Sequence, residues 1–205
     1  QLLLVAMVLV GSVHAQSNGL IESVSAKPVK VFILAGQSNM EGKATVALLQ
    51  HQMMQPETKK LFAHLHNKGE LIERDDVYIK FLERNGKLTA GFGSPNRIGP
   101  ELQFGFSMGD RLEEPVLLIK TAWGGKSLFR DFRSPSAGLP GGEVLDSQLV
   151  KEQKRKPEMT LSDVKKSYGF YYREMINEIQ ETLSKIGDFI PSYDIEAGYE
   201  IAGFV

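Results

Sequence analysis

The chain has 205 residues, of which 42% are hydrophobic and 24% are charged, and its formal net charge is −1. This composition is typical of one folded domain with a hydrophobic core, and it excludes a disordered or collagen-like chain. The balanced charge argues against a nucleic-acid partner, and the absence of cysteine excludes disulfides, thiol catalysis and cysteine-bound metals.

Residues 1–15 have the pattern of a secretion signal. The apolar run 2–10 is followed by Val13-His14-Ala15, which fits signal cleavage after Ala15. The run is shorter than the roughly 20 apolar residues of a membrane span; the alternative is a buried N-terminal strand or helix. Because residue 1 is Gln and no basic segment precedes the run, we expect the true start to be missing. We expect an exported protein, periplasmic or extracellular, with a polar linker over residues 16–28 and no membrane contact after cleavage.

The first half of the domain alternates apolar runs with polar segments. Residues 29–35 are almost continuously apolar and predict a strand buried on both faces. Residues 44–54 have helical composition, and the charged stretch 57–74 predicts a surface helix and loop. Residues 77–83 alternate like a strand, and the turn-rich residues 91–99 predict a loop long enough to line a site.

The second half repeats this alternation. Pro100 suits the first turn of a helix over residues 100–112, and a second buried strand begins at residue 116 and ends before Gly124-Gly125. Residues 129–142 are rich in proline and glycine and predict no regular structure. A helix is expected over residues 162–186, with an apolar stripe facing the core, and a strand at the end, over residues 199–205. Strands separated by helices predict a parallel α/β sheet.

The loop after the first strand carries Ser38, and two common motifs do not fit it. A phosphate loop has four residues between its glycines and a Ser or Thr after its Lys, whereas Gly36 and Gly42 enclose five residues and Ala44 follows the Lys. A nucleophile elbow requires a small residue two positions after the serine, where this chain has Met40. Since parallel sheets bind ligands beyond the carboxyl ends of their strands, a site is still expected at this loop and at the loop after Trp123.

Three segments in order resemble the SGNH hydrolases, in particular the carbohydrate esterases of the sialate O-acetylesterase branch. These segments are FILAGQSNMEG, IGPELQFG and IKTAWGGKSLFRDFRSPSAG, and the resemblance covers residues 29–205. It implies a flavodoxin-like three-layer α/β/α fold with a parallel central sheet. It also implies serine-dependent removal of acetyl groups from sugars, of sialate or xylan type, with no cofactor and no metal.

The same resemblance assigns roles to residues. Ser38 becomes the nucleophile, and the backbone N–H groups of Ser38 and Gly125 become oxyanion-hole donors. Glycine suits such a donor because it has no Cβ to block the approach of the oxygen. Six further residues are candidates for shaping the site: Gln37, Asn39, Glu101, Trp123, Gly124 and Arg130.

Each of these has a purely structural alternative. Gln37 and Asn39 are common turn residues. Trp123 beside a buried strand is more often a packing residue than one that stacks on a sugar. Arg130 is suited to joining residues 129–142 to the rest of the domain. Glu101 either favours the start of its helix or ties down the Ser38 loop.

The histidine base of such an enzyme is not recognisable. The four histidines are His14, His51, His64 and His66, and none completes the Asp-x-x-His motif that the family carries late in its sequence. We therefore expect the catalytic His and Asp beyond residue 205, a domain cut before its last motifs, and little turnover by this piece alone. Two other functions stay open: another SGNH esterase or lipase, and an inactive sugar-binding module on the same fold.

Overall fold

The computed structural model describes residues 27–205. The predicted signal segment, residues 1–15, and residues 16–26 of the predicted linker lie outside the described residues. Within the described part, a five-stranded sheet has the strand order β6-β5-β8-β1-β9. Its strands are β1 (Val29–Gly36), β5 (Val77–Phe81), β6 (Arg84–Lys87), β8 (Val116–Ala122) and β9 (Tyr199–Phe204). Two short antiparallel pairs lie outside it, β2 (Ala44–Thr45) with β7 (Arg97–Ile98) and β3 (His66–Asn67) with β4 (Glu70–Leu71).

The sheet is parallel except at one edge. β1 pairs in parallel with β8 and β9, and β8 pairs in parallel with β5, while β6 is antiparallel to β5. All seven residues of β8 are buried, as expected of a central parallel strand covered on both faces. The predicted parallel sheet is confirmed, with an added antiparallel edge.

Helices cover both faces of the sheet. The helices are α1 (Ser38–Glu41), α2 (Val46–Met54), α3 (Pro100–Gly109), α4 (Gly142–Gln153), α5 (Leu161–Ser167), α6 (Phe170–Ser184) and α7 (Ile186–Phe189). One hydrophobic core joins the sheet to α2 and α3 and includes Leu34, Leu118 and Phe106. A second core joins the opposite face to α6 and α7 and includes Ile119 and Ile179. This is the expected three-layer α/β/α arrangement.

Two β-hairpins were not predicted from the sequence. Residues 57–74 form no α-helix; they contain a short 3₁₀ turn, Ala63–Leu65, and the β3–β4 hairpin. The hairpin turn uses Lys68 and Gly69, both at positive φ, which suits a two-residue connection. The strand predicted over residues 77–83 ends at Phe81, because Leu82, at a φ of 50°, turns the chain back into β6.

The predicted helix over residues 162–186 is three helices. Tyr168 is extended and Gly169 is left-handed, at a φ of 68°, so α5 ends and α6 begins there. A second break at Lys185 separates α6 from α7. The predicted loop 129–142 contains a 3₁₀ turn, Pro135–Ala137, and leads directly into α4, which the sequence analysis did not predict.

The sheet register brings two loops together. Gly36 at the end of β1 is paired with Ala122 at the end of β8, and the N–H of Trp123 donates to the carbonyl of Gly36 at 3.2 Å. The loops that carry Ser38 and Gly124-Gly125 therefore leave the same edge of the sheet side by side. In the region from residue 27 to residue 205, every helix is too short or too polar to cross a membrane.

Candidate active site

Ser38 begins a single helical turn at the end of β1. Glu41 and Gly42 close this turn, with their N–H groups donating to the carbonyls of Gln37 (2.8 Å) and Ser38 (3.1 Å). The side chain of Ser38 is partly exposed, and its Oγ donates to Gln37 Oε1 at 3.1 Å. The hydroxyl thus lies at the tip of a central strand within reach of solvent.

Glycine is required where this turn meets the rest of the protein. Gly42 has a φ of 89°, and a Cβ there would lie 2.5 Å from the backbone of Ile98 and of Gly99. A larger residue would push α1 away from the start of α3. The turn that carries Ser38 is therefore packed directly on neighbouring backbone.

The two glycines after Trp123 have different surroundings. The backbone of Gly124 faces the carboxylate of Glu41 and helps to lower the pKa of that group. Gly125 is exposed and left-handed, at a φ of 74°, and no acceptor within residues 27–205 takes its N–H. The N–H of Gly125 is therefore available for a ligand.

Glu41 connects three segments around the site. Its Oε1 lies 2.8 Å from Lys43 Nζ and accepts from Ser94 Oγ at 2.5 Å, and its carboxylate faces the backbone of Gly124. Burial alone would raise the pKa of Glu41, but the hydrogen bonds from Lys43 and Ser94 outweigh it and lower the pKa below its ordinary value. The carboxylate thus stays ionised and links the Ser38 turn to the Gly124 turn.

Glu101 lies beneath this arrangement and is wholly buried at the start of α3. Its Oε1 accepts the N–H of Gly99 at 2.8 Å, and its Oε2 accepts from Lys120 Nζ at 2.6 Å. Glu101 was predicted to shape the site, whereas Lys120 was not.

Trp123 and Arg130 make contacts within the protein. The Trp123 ring is partly buried and packs against Tyr171 and Phe132, with centroid distances of 5.1 and 6.1 Å. Arg130 donates to Ser167 Oγ at 3.0 Å and to Glu152 Oε1 at 2.8 Å. Arg130 thereby joins the loop after β8 to α4 and α5. Gln37 and Asn39 are exposed on the Ser38 turn.

A cleft of about 640 Å³ opens beside Gln37, between the loop after β8 and helix α6. Its walls are mainly apolar, with a lysine, a serine and a tyrosine among them. Its lining residues are Ala35, Gly36, Gln37, Lys126, Ser127, Leu128, Phe132, Tyr172 and Met175. Tyr172 and Met175 belong to the apolar stripe that was predicted to face the core; Met175 does pack against the second core, and both residues also line the cleft. Their position at the first turns of α6, after the break at Gly169, leaves them facing the cleft.

The three described histidines have other neighbours than Ser38. His51 lies in α2, His64 Nε2 is 2.7 Å from Gln103 Oε1, and His66 Nδ1 accepts the N–H of Gly69 at 3.2 Å. Over residues 27–205 there is also no group of three His, Cys, Asp or Glu residues placed to hold a metal ion.

The layers, the sheet order and the serine loop at the end of β1 define a three-layer α/β protein of the SGNH hydrolase type. The sequence profile of one family in that class, "Carbohydrate esterase, sialic acid-specific acetylesterase", matches residues 28–190. The chain belongs to this family, whose activity is the hydrolysis of carboxylic esters of the acetylester type.

Two further comparisons add little. An X-ray structure of a protein from Arabidopsis thaliana is similar over 75% of this chain and 70% of that chain, with 15% sequence identity and a TM-score of 0.33. A likeness this weak says nothing about function. No curated protein matches the chain.

Proposed function

We propose that Ser38 is the nucleophile of a carbohydrate O-acetylesterase, which removes acetyl groups from sugars of sialate or xylan type through an acyl-enzyme. The observation that carries the proposal is the placement of Ser38 beside the Trp-Gly-Gly turn. The Ser38 turn follows β1 and the glycine turn follows β8, and these strands are paired up to Gly36 and Ala122. Family membership supports ester hydrolysis in general, and this placement supports the particular nucleophile.

The oxyanion hole consists of backbone N–H groups on these two turns. The N–H of Ser38 is at the first position of α1 and so has no acceptor inside the helix. The N–H of Gly125 has no protein acceptor among the described residues. Two such donors stabilise the negative oxygen of the tetrahedral intermediate, and loss of one costs about 3 to 4 kcal/mol.

The base is a histidine in sequence beyond residue 205, as the family resemblance implies. It takes the proton of Ser38 Oγ as the oxygen attacks the ester carbonyl, and it gives that proton to the sugar oxygen as the bond to the acetyl carbon breaks, so that the sugar leaves as a free hydroxyl. Water then attacks the acetyl-serine in the same way and releases acetate. On this proposal residues 1–205 alone turn over slowly, because His64 and His66 are hydrogen-bonded elsewhere and His51 lies in α2.

The sequence pattern of residues 1–15 supports export to the periplasm or the medium, where acetylated carbohydrate is the partner. A second candidate is an SGNH esterase for longer acyl chains. It is favoured by the apolar cleft beside Gln37, where Leu128, Phe132 and Met175 provide a wall for an acyl group.

The experiment uses the chain together with the sequence that follows it in its reading frame. We expect Ser38→Ala to lower the hydrolysis of 4-nitrophenyl acetate about 10⁴-fold or more and to abolish labelling by a fluorophosphonate. The control is Ser184→Ala, an exposed serine at the end of α6, which should react as the unaltered protein does. Labelling that survives in Ser38→Ala contradicts the proposal, and a preference for 4-nitrophenyl octanoate over acetate favours the second candidate.

A further inference from the structure

A charged pair lies inside the protein directly beneath the Ser38 turn. Lys120 belongs to β8, and its side chain is 0% exposed, while that of Glu101 is 1% exposed. Their charged atoms are 2.6 Å apart. The remaining residues of β8 are apolar apart from Thr121, so this lysine interrupts an otherwise hydrophobic strand.

All three donors of the Lys120 ammonium are used. Besides Glu101, Nζ donates to the backbone carbonyls of Glu41 at 3.0 Å and of Phe92 at 2.9 Å. Glu101 in turn accepts the N–H of Gly99. One buried cation therefore holds the Ser38 turn, the Phe92 loop and the start of α3 in fixed relation.

The Ser38 turn needs such support. α1 is one turn long and has no side-chain cap at its first residue, and so short a helix has almost no stability of its own. The carbonyl of Glu41 is at the end of that turn, where helical carbonyls lack partners inside the helix. Lys120 supplies the missing partner. The carbonyl that it binds belongs to Glu41, three residues along the chain from Ser38.

This arrangement is not the simplest way to fill a core. Burial lowers the pKa of Lys120, and Glu101 offsets only part of that effect. A buried ion pair is often no more stabilising than apolar side chains of similar volume. The pair therefore has to be explained by what it positions and not by stability alone.

We propose that Lys120, held by Glu101, is a positioning residue that fixes the Ser38 turn through the carbonyl of Glu41 and so aligns the Ser38 hydroxyl with its oxyanion donors. This inference rests on the proposed role of Ser38 for its catalytic consequence. Its structural part, the fixing of the turn, is measurable without any activity.

The test is the double variant Lys120→Met/Glu101→Leu, which removes both charges and keeps most of the volume. We expect the double variant to fold but to unfold at lower urea, because the carbonyls of Glu41 and Phe92 and the N–H of Gly99 lose their partners. We expect kcat for 4-nitrophenyl acetate to be about 10- to 100-fold lower and KM to stay within about twofold, because misplacement by about 1 Å has this effect on rate. We also expect faster hydrogen exchange at the amides of Glu41 and Gly42.

The matched control is Lys80→Met/Glu178→Leu, which removes a second lysine–glutamate pair. Lys80 is in β5 and Glu178 is in α6, on the opposite side of the same sheet. It should leave kcat and the exchange of both amides unchanged. If the first double variant does not fold, Glu101→Gln is used, since its amide oxygen still accepts from Gly99 while the charge is gone. It should then show the same loss of kcat and the same faster exchange.

The outcomes separate the two proposals. Unchanged exchange at Glu41 and Gly42 in the folded variant overturns the positioning role, whatever the activity. Faster exchange with unchanged kcat also overturns it, because the turn would then be free to move without effect on Ser38. If the unaltered protein neither hydrolyses esters nor labels at Ser38, the proposed function fails, and the exchange result still decides whether Lys120 fixes the turn.

Discussion

Two lysines in neighbouring strands face opposite sides of the sheet and have very different surroundings. Lys120, on the α3 side, is enclosed, 2.6 Å from Glu101, with two further carbonyl partners. Lys80, on the α6 side, is partly exposed and 3.9 Å from Glu178. Burial raises the pKa of Glu178, and the attraction of Lys80 offsets only part of it.

The difference shows what a buried charge requires. An ion pair near solvent contributes about 0 to 1 kcal/mol, whereas removal of one partner from an enclosed pair leaves a costly unpaired charge. The enclosed pair, Lys120 with Glu101, lies at the end of the sheet where the Ser38 and Gly124 turns begin. The weak pair, Lys80 with Glu178, supports no turn of the candidate site.

The largest expected effect is from breaking the enclosed pair. Glu101→Leu leaves the ammonium of Lys120 buried without its counter-charge, and we expect the free energy of unfolding to fall by about 3 to 5 kcal/mol. Urea denaturation measures this. A loss below about 1 kcal/mol would show that Lys120 is readily neutralised or rehydrated and that the two faces do not differ as described.

The second largest loss of stability is expected from overpacking the α3 side of the sheet. A Cβ on Gly105 of α3 would lie 2.1 Å from Leu88 Cδ2 and 2.9 Å from Leu118 Cδ1. We expect Gly105→Ala to lower the free energy of unfolding by about 1 to 3 kcal/mol, as overpacking does. The control on the opposite face is Gly187→Ala in α7, where the nearest atom would be at 3.7 Å, an ordinary contact. Equal thermal stability of the two variants would remove the contrast in packing.

The central strand β8 also contains a buried hydroxyl, that of Thr121. Thr121 follows Lys120 and is fully buried, and its Oγ1 has no hydrogen-bond partner among residues 27–205. Thr121→Val replaces the hydroxyl by a methyl group of the same shape, so we expect stability to rise by about 1 kcal/mol. A decrease in the urea midpoint would instead mean that the hydroxyl is satisfied in solution.

The smallest effect concerns the weak pair and depends on pH. Because the folded-state pKa of Glu178 is raised, the protein binds this proton more tightly when folded, and stability declines as pH rises through that pKa. Glu178→Gln lacks this titration. We expect it to be slightly more stable at pH 7, by less than about 1 kcal/mol, with the difference disappearing in acid. Thermal unfolding of both proteins from acid to pH 7 measures this difference in stability. If Glu178→Gln were the less stable protein at pH 7, Lys80 would be shown to compensate Glu178 fully.

Much of the fold was predictable because burial on both faces leaves a clear record in sequence. β1 and β8 are almost continuously apolar, and both were expected within a residue or two of their observed ends. β6 was missed because its residues, RNGK, are polar and lie at the edge of the sheet. α4 was missed because it buries only Leu145 and begins at the end of a segment rich in glycine and proline.

The site was predictable in part. Ser38 and Gly125 were named from a family resemblance, and their placement at the ends of adjacent strands follows from the parallel sheet. The contacts of Glu41 with Ser94, and of Lys120 with Glu41 and Phe92, were not predictable, since each joins residues more than 25 positions apart. One signal was available, because a lysine within a strand that is otherwise apolar needs a buried acceptor.

The β5–β6 hairpin bears on how the protein behaves at high concentration. A bare sheet edge recruits further strands and leads to aggregation. Here Arg84 and Lys87 place positive charge along the outer strand, and Arg84 donates to the carbonyls of Gly91 and Gly93, which draws a loop over part of that edge. A second copy approaching in the same way would meet like charge and the loop that Arg84 holds, so this side of the sheet is protected from intermolecular β-pairing.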